Sequence, residues 1–319
     1  MSNPTPLRDV IETCELPHPA FVEHEKALVR RIDDALNGRP PVSEWVVGPS
    51  RVGKSMLINA LARRYPETTV NGVRRLPLLV VTVPSPVSPK EMPKSVIEAL
   101  GMATARASNT ADLFGRMSRL LILAQTKVIL FEEASHIVDV GTKMPTRAAG
   151  DWFKQVIDRA GMSVFNFGVP RLEKLYASNE QLRLRSKARR EFRPYDFMVP
   201  AQRAAFAACV KTYSDMFAGA GWPIAVPFEV LVHHCYLLSG GLVGVLSMFM
   251  QQLAFDTEKH SPRALTFADC ASSALKIERA GHPQCPPFVR ELVGAVELNQ
   301  AHVFVLEDSG LPILKVVKP

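Results

Sequence analysis

An α/β fold is predicted, with a mostly parallel sheet flanked by helices and an all-helical region after it. Three observations predict it. Strand-like runs at 44–47, 78–83, 127–133 and 163–168 alternate with helical patterns, which implies right-handed crossovers and helices on both faces. The first run leads into Gly48-Pro49-Ser50-Arg51-Val52-Gly53-Lys54-Ser55. That string reads G-x-x-x-x-G-K-S, the phosphate-binding loop of nucleoside triphosphatases. After about residue 198 the strand-like runs stop, and 200–220, 228–238, 242–258 and 267–280 read as helices.

Taken in order, residues 1–17 are polar and proline-rich and read as a loose arm. From residue 18 to 36, Phe21, Val22, Leu28, Val29, Ile32 and Leu36 make one apolar face, so an amphipathic helix is expected, stopped by Asn37-Gly38 and two prolines. The phosphate-loop strand and its helix, 56–64, follow. Leu78-Leu79-Val80-Val81-Thr82-Val83 is a continuous, largely β-branched run, as in a buried parallel strand. Helices are expected at 90–101 and 111–125, joined by the polar turn Ser108-Asn109-Thr110. Lys127-Val128-Ile129-Leu130-Phe131-Glu132-Glu133 is the next buried strand, expected beside the phosphate-loop strand, and a helix at 152–160 separates it from strand 163–168. In the tail, His302-Val303-Phe304-Val305-Leu306 reads as a strand. The last stretch, Gly310 to Lys318, is short, apolar and basic; it suits docking, a sheet edge or a frayed end.

Composition bounds the function. The chain has 319 residues, 47 % hydrophobic and 22 % charged, which suits one large or two medium globular domains. A net charge of +7 favours an anionic partner; nucleic acid fits, but basicity alone does not select it. Cys14, Cys209, Cys235, Cys270 and Cys285 are odd in number and widely spaced, so a reduced, cytoplasmic setting is expected. His233-His234-Cys235 has no further ligands at metal spacing and reads as helix surface and core. There is no signal-peptide pattern at the start and no apolar run of membrane-spanning length, so no membrane is expected among the partners.

The phosphate loop states its own chemistry. Gly48 and Gly53 let the backbone fold tightly so that N–H groups point at phosphates. Lys54 supplies a point charge, Ser55 a hydroxyl for Mg²⁺, and the helix it opens a positive dipole end. A nucleoside triphosphate with Mg²⁺ is therefore the expected cofactor. Hydrolysis further needs an acid at the metal and a base for water. Glu132 is assigned to the metal and Glu133 to water activation, because two acids end a buried strand there. The usual first acid is Asp; the extra methylene of Glu132 moves its carboxylate outward by roughly one bond.

Arg183-Leu184-Arg185-Ser186-Lys187-Ala188-Arg189-Arg190-Glu191-Phe192-Arg193 is dense in positive charge. Three readings stand: an arginine finger reaching a neighbouring subunit's phosphate, a DNA phosphate contact, or a solvated helix face.

The phosphate loop, the Glu132-Glu133 strand end, Gly168-Val169-Pro170-Arg171-Leu172, Asn179-Glu180-Gln181-Leu182 before the arginines, and the helical region resemble an AAA+ ATPase. More narrowly, with His18-Pro19-Ala20-Phe21 and the Gly-Pro-Ser start of the loop, they resemble the TniB/TnsC family of transposition regulators, over about residues 18–280. The resemblance implies an AAA+ nucleotide-binding domain at 18–198 after an arm at 1–17, a helical lid at 199–284 and a tail at 285–319. It implies ATP as the nucleotide and an ATP-dependent homo-oligomer, ring or filament, round double-stranded DNA, linking a target-selection protein to a transposase. It places Arg185 at the arginine-finger position, and Lys90, Lys94 and Thr110 near the DNA-contacting helix and loop. Such groups suit sequence-tolerant phosphate contacts.

Three departures from the family pattern bear on turnover. Glu132 replaces Asp. Val169 stands where a polar sensor residue is common, with Asn166 as a nearby substitute. In the Gly-rich lid-helix start, Ser239-Gly240-Gly241-Leu242-Val243-Gly244-Val245, Val245 stands where an arginine often touches phosphate. Slow hydrolysis is the consequence. A helicase-loader or initiator-type AAA+ ATPase and a nucleotide-locked scaffold with little hydrolysis remain the alternatives.

Overall fold

A computed structural model of the chain describes residues 6–104, 109–258 and 260–313. Helices α1 (Leu7–Glu12) and α2 (Pro19–Leu36) precede strand β1 (Ser43–Val47) and α3 (Lys54–Arg64). A hairpin of β2 (Thr68–Val70) and β3 (Val73–Arg75) leads to β4 (Leu78–Thr82), α4 (Glu91–Ala99) and α5 (Thr110–Leu123). Then come β5 (Val128–Glu132), a 3₁₀ turn (Ala134–Val138), α6 (Thr146–Asp158) and β6 (Ser163–Gly168). A second 3₁₀ turn (Pro170–Leu172), α7 (Glu173–Ser178), α8 (Glu180–Arg185) and β7 (Arg190–Glu191) follow. The remainder is helical: α9 (Pro200–Gly219), α10 (Phe228–Ser239), α11 (Val243–Thr257), α12 (Phe267–Ala274) and α13 (Ala295–Ser309).

The chain divides into two compact units. One comprises Val22–Gly48 and Lys54–Phe192; the other comprises Met1–Phe21, Pro49–Gly53 and Arg193–Pro319. The first holds a five-stranded parallel sheet in the order β4-β5-β6-β1-β7. Along each strand alternate residues face opposite ways. Val47, Val81, Ile129, Phe131 and Val164 join Val96 of α4, Met117 of α5 and Phe153 of α6 in one core. The Phe131 ring meets Trp152 and Phe153 edge-on, at 5.8 and 5.2 Å between centroids. Helix α3 packs on β4 and β5. Asn109 caps α5, its side chain accepting from the Asp112 amide at 2.9 Å. Ser108, the start of the expected turn, lies outside the described residues.

The sheet order corrects one expectation. The strand ending in Glu132 does not lie beside β1; β6 is inserted between them, in register with both. Strands β1, β4, β5 and β6 are mostly apolar runs with no local mark of their partners, so strand order is not written locally. The short strand β7 was not foreseen either. It is two residues long and joins β1 through Val46 and Val47. Its Arg190 sits at 3.3 Å from Glu44 and Arg31 of α2 at 3.0 Å from the same carboxylate, which is fully buried. Burial pushes the Glu44 carboxyl up, and the two arginines oppose it.

The second unit is all-helical among its described residues. Residues 7–12, expected as a loose arm, form α1, and Ile11 is fully buried. The expected strand at 302–306 is part of helix α13. Leu298, Ala301, His302, Val305 and Leu306 are its buried residues, and that spacing is helical, not alternating. The β-branched residues Val303 and Val305 misled a reading made over five residues alone. The tail beyond Ile313 lies outside the described residues. His234 and Cys235 are fully buried in α10, and His234 Nδ1 accepts from the Phe288 amide at 2.9 Å. Among the described residues no group of three or more His, Cys, Asp or Glu side chains is placed to hold a metal. No single helix among them is long and apolar enough to cross a membrane.

Candidate active site

The phosphate loop is where β1 hands over to α3. Its shape needs two left-handed residues, Arg51 (φ 66°) and Gly53 (φ 116°). For Gly53 the conformation is free; for Arg51 it costs about 1 kcal/mol. The Gly48 amide donates to Gly168 O at 3.1 Å, tying the loop's first residue to the end of β6. In the helical unit, the Gly244 amide at the start of α11 donates to Arg51 O at 2.9 Å. A Cβ on Gly244 would stand 2.3 Å from that oxygen, so only glycine fits there.

Lys54 is the first residue of α3. Its Nζ donates to Gly48 O at 2.9 Å, so the side chain folds back over its own loop. Burial lowers its pKa to about 8, while Glu133 and Glu132 act to raise it. Ser55 Oγ donates to the Glu132 carboxylate. Two hard oxygen groups from separate elements thus meet beside the lysine, a donor set that fits Mg²⁺. Glu133 is exposed and takes a left-handed conformation (φ 54°, ψ 34°), unusual for a residue with a side chain. Its carbonyl accepts from the His136 amide at 3.0 Å.

Asn166 does not serve as the polar substitute beside Val169. It is fully buried in β6, and its Nδ2 donates to Tyr176 Oη at 2.8 Å. The Val169 position is instead held through its backbone: its N–H donates to Ser135 Oγ at 2.7 Å. Sequence reasoning passed over Ser135, although it lies two residues beyond Glu133. Val245 is buried in α11 and offers no charge to a phosphate. Arg171 of the Gly-x-x-Arg-Leu string grips Asp139 with two bonds, at 2.6 and 3.2 Å.

Three arginines of the arginine-rich segment are held by carboxylates of the same chain. Arg185, at the end of α8, donates to Asp158 of α6 at 2.8 Å. Arg189 pairs with Glu173 at 2.7 Å and Glu191 at 2.8 Å, and Arg190 with Glu44. Apart from Glu191, two positions from Arg189, the paired carboxylates lie 16 to 146 positions away in sequence, so these pairings were not legible in the cluster's own residues. Leu184, next to Arg185, is 75 % exposed.

Lys90 immediately precedes α4 and is exposed; Lys94, one turn on, pairs with Glu91 at 2.8 Å. Thr110 opens α5, which packs against α4. The three therefore lie at the starts of two adjacent helices, apart from the Ser55–Glu132 pair in sequence and in element.

None of the curated proteins compared matches the chain. Among solved structures it is similar to the Aeropyrum pernix ORC1 protein in complex with DNA, at 15 % identity and TM-score 0.57, over 85 % of this chain and 69 % of that one. It is similar to the Aeropyrum pernix ORC2 protein in its ADPNP–ADP complexes, at 11 % identity and TM-score 0.60, over 86 % and 72 %. Cdc6p from Pyrobaculum aerophilum matches at 9 % identity and TM-score 0.60, over 96 % and 86 %. The fold shared with these proteins is that of the AAA+ ATPases. A family model, described as bacterial TniB protein, matches residues 17–193. That span includes the phosphate loop, both acids and the arginine-rich segment, and the chain belongs to the TniB family.

Proposed function

We propose that this chain is an ATP-dependent, DNA-binding AAA+ regulator of transposition. It oligomerises on duplex DNA and links a target-selection protein to a transposase. The observation that carries the nucleotide half is the meeting of Ser55 and Glu132 beside Lys54. The family match carries the transposition half, and the ORC1 relative in complex with DNA supports the DNA half.

In this reading the loop amides of Gly48–Ser55 cradle the phosphates and Lys54 neutralises their charge. Ser55 and Glu132 hold Mg²⁺, which when bound offsets charge on the transferred phosphoryl oxygens. Glu133 orients the attacking water and accepts its proton. Arg185 acts on the nucleotide of a neighbouring subunit after leaving Asp158. That exchange is cheap, because an exposed ion pair is worth about 0–1 kcal/mol. Lys90, Lys94 and Thr110 contact DNA phosphates without reading sequence. Five free cysteines accord with a reduced, cytoplasmic setting.

Electron microscopy with duplex DNA tests this, with and without a slowly hydrolysed ATP analogue. Rings or filaments on DNA that need the nucleotide are expected; particles of single chains under every condition would overturn the reading. A second reading, a scaffold locked by ATP, is favoured by the engagement of Asn166 with Tyr176 and by the apolar Val245. Turnover no greater than that of Glu133→Gln would select it.

A further inference from the structure

Three backbone segments converge at the end of β6. The Gly48 amide of the phosphate loop donates to Gly168 O at 3.1 Å. The next residue, Val169, donates its N–H to Ser135 Oγ at 2.7 Å, and Ser135 Oγ–H donates back to Val169 O at 3.3 Å. Ser135 is 1 % exposed. A Cβ on Gly168 would stand 2.3 Å from Ser135 Oγ and 3.1 Å from Ser135 N. The glycine is what lets the hydroxyl come this close. Ser135 lies in the 3₁₀ turn whose N-terminal cap is Glu133, held at φ 54°.

Resting on the proposed ATPase reading, we propose that Ser135 is a positioning residue for hydrolysis. Its hydroxyl clasps the backbone of Val169 at the end of β6. Through that clasp the end of β6 fixes the turn that presents Glu133, while Gly168 fixes the first residue of the phosphate loop. One strand end thus registers the water-activating acid against the phosphate-binding backbone. The clasp touches neither nucleotide nor water. Its loss affects the rate of the chemical step and spares nucleotide affinity, since small misplacements of a reacting group cost rate steeply.

The test is a kinetic cycle on the full chain with ATP, Mg²⁺ and duplex DNA, using Ser135→Ala, Gly168→Ala and the double variant, with Glu133→Gln as the blank. Ser135→Ala is expected to lower kcat about tenfold or more. KM and the dissociation constant of a slowly hydrolysed analogue should stay within about twofold. Gly168→Ala drives the hydroxyl out, so the double variant should turn over no more slowly than the slower single one. Unchanged kcat in Ser135→Ala, or losses that multiply in the double variant, would overturn the positioning role. A fall in analogue affinity parallel to kcat would overturn it too, showing a merely structural residue. Wild-type turnover equal to the Glu133→Gln blank would instead remove the ATPase reading, and the positioning role with it.

Discussion

Lys54 shows how much a single residue of the site depends on its surroundings. The sequence motif identifies the lysine but not its titration. Burial lowers its pKa to about 8, so above that pH the free protein loses the charge that phosphates need. Two outcomes follow. Nucleotide affinity should fall as pH rises from 7 to 9, and binding near pH 8 should take up protons, read by calorimetry in buffers of different ionisation enthalpy. Stability of the free protein should move oppositely. The folded pKa lies below the ordinary value of 10.5, so the unfolded chain binds more protons between about 8 and 10.5, and stability rises with pH in that window. Lys54→Ala should abolish nucleotide binding outright. Arg185 is the contrasting case: its role comes from the family pattern, while its bond to Asp158 is visible only in the fold. Arg185→Ala should leave nucleotide binding nearly intact and lose cooperative turnover. Mixed with Glu133→Gln it should regain part of that turnover, since each variant supplies what the other lacks. No gain on mixing would count against action between subunits.

Helices and strands were legible where their pattern was long. The apolar face of α2 and the continuous burial of β1 and β6 follow from runs of residues that announce themselves. What failed was pairing. Strand order and the two-residue β7 depend on partners far along the chain, whereas the helical spacing of α13 shows only over a window longer than five residues. Two predictions belong to this scale. Gly244→Ala at the start of α11 puts a carbon against Arg51 O, and should lower both the melting temperature and nucleotide affinity. At the start of α4, Lys94→Ala should weaken duplex binding at all sequences and reduce the salt slope by about one. Glu91→Ala releases the same lysine and should tighten binding modestly; a loss of affinity would argue that the lysine does not face DNA.

Over the whole molecule, a net charge of +7 suggested an anionic partner, yet three arginines of the densest run, Arg185, Arg189 and Arg190, are paired with carboxylates within the chain. In the proposed reading, duplex affinity comes from a few contacts per subunit, repeated by assembly. It should be weak without nucleotide and steeply salt-dependent once an oligomer forms, as measured by fluorescence anisotropy across a salt series. The place of β1 in the sheet has a further consequence during synthesis. The strand that carries the phosphate loop leaves the ribosome before its neighbour β6, which begins about 120 residues later. At about 5–20 residues per second that is a wait of roughly 6–24 s, with Trp45, Val46 and Val47 unpaired. A nascent chain stalled before β6 should be captured by holdase chaperones and cleaved readily by protease, and one released past β7 should not. The strand order that seats Ser55 opposite Glu132 therefore also sets when in translation this protein is most exposed to aggregation.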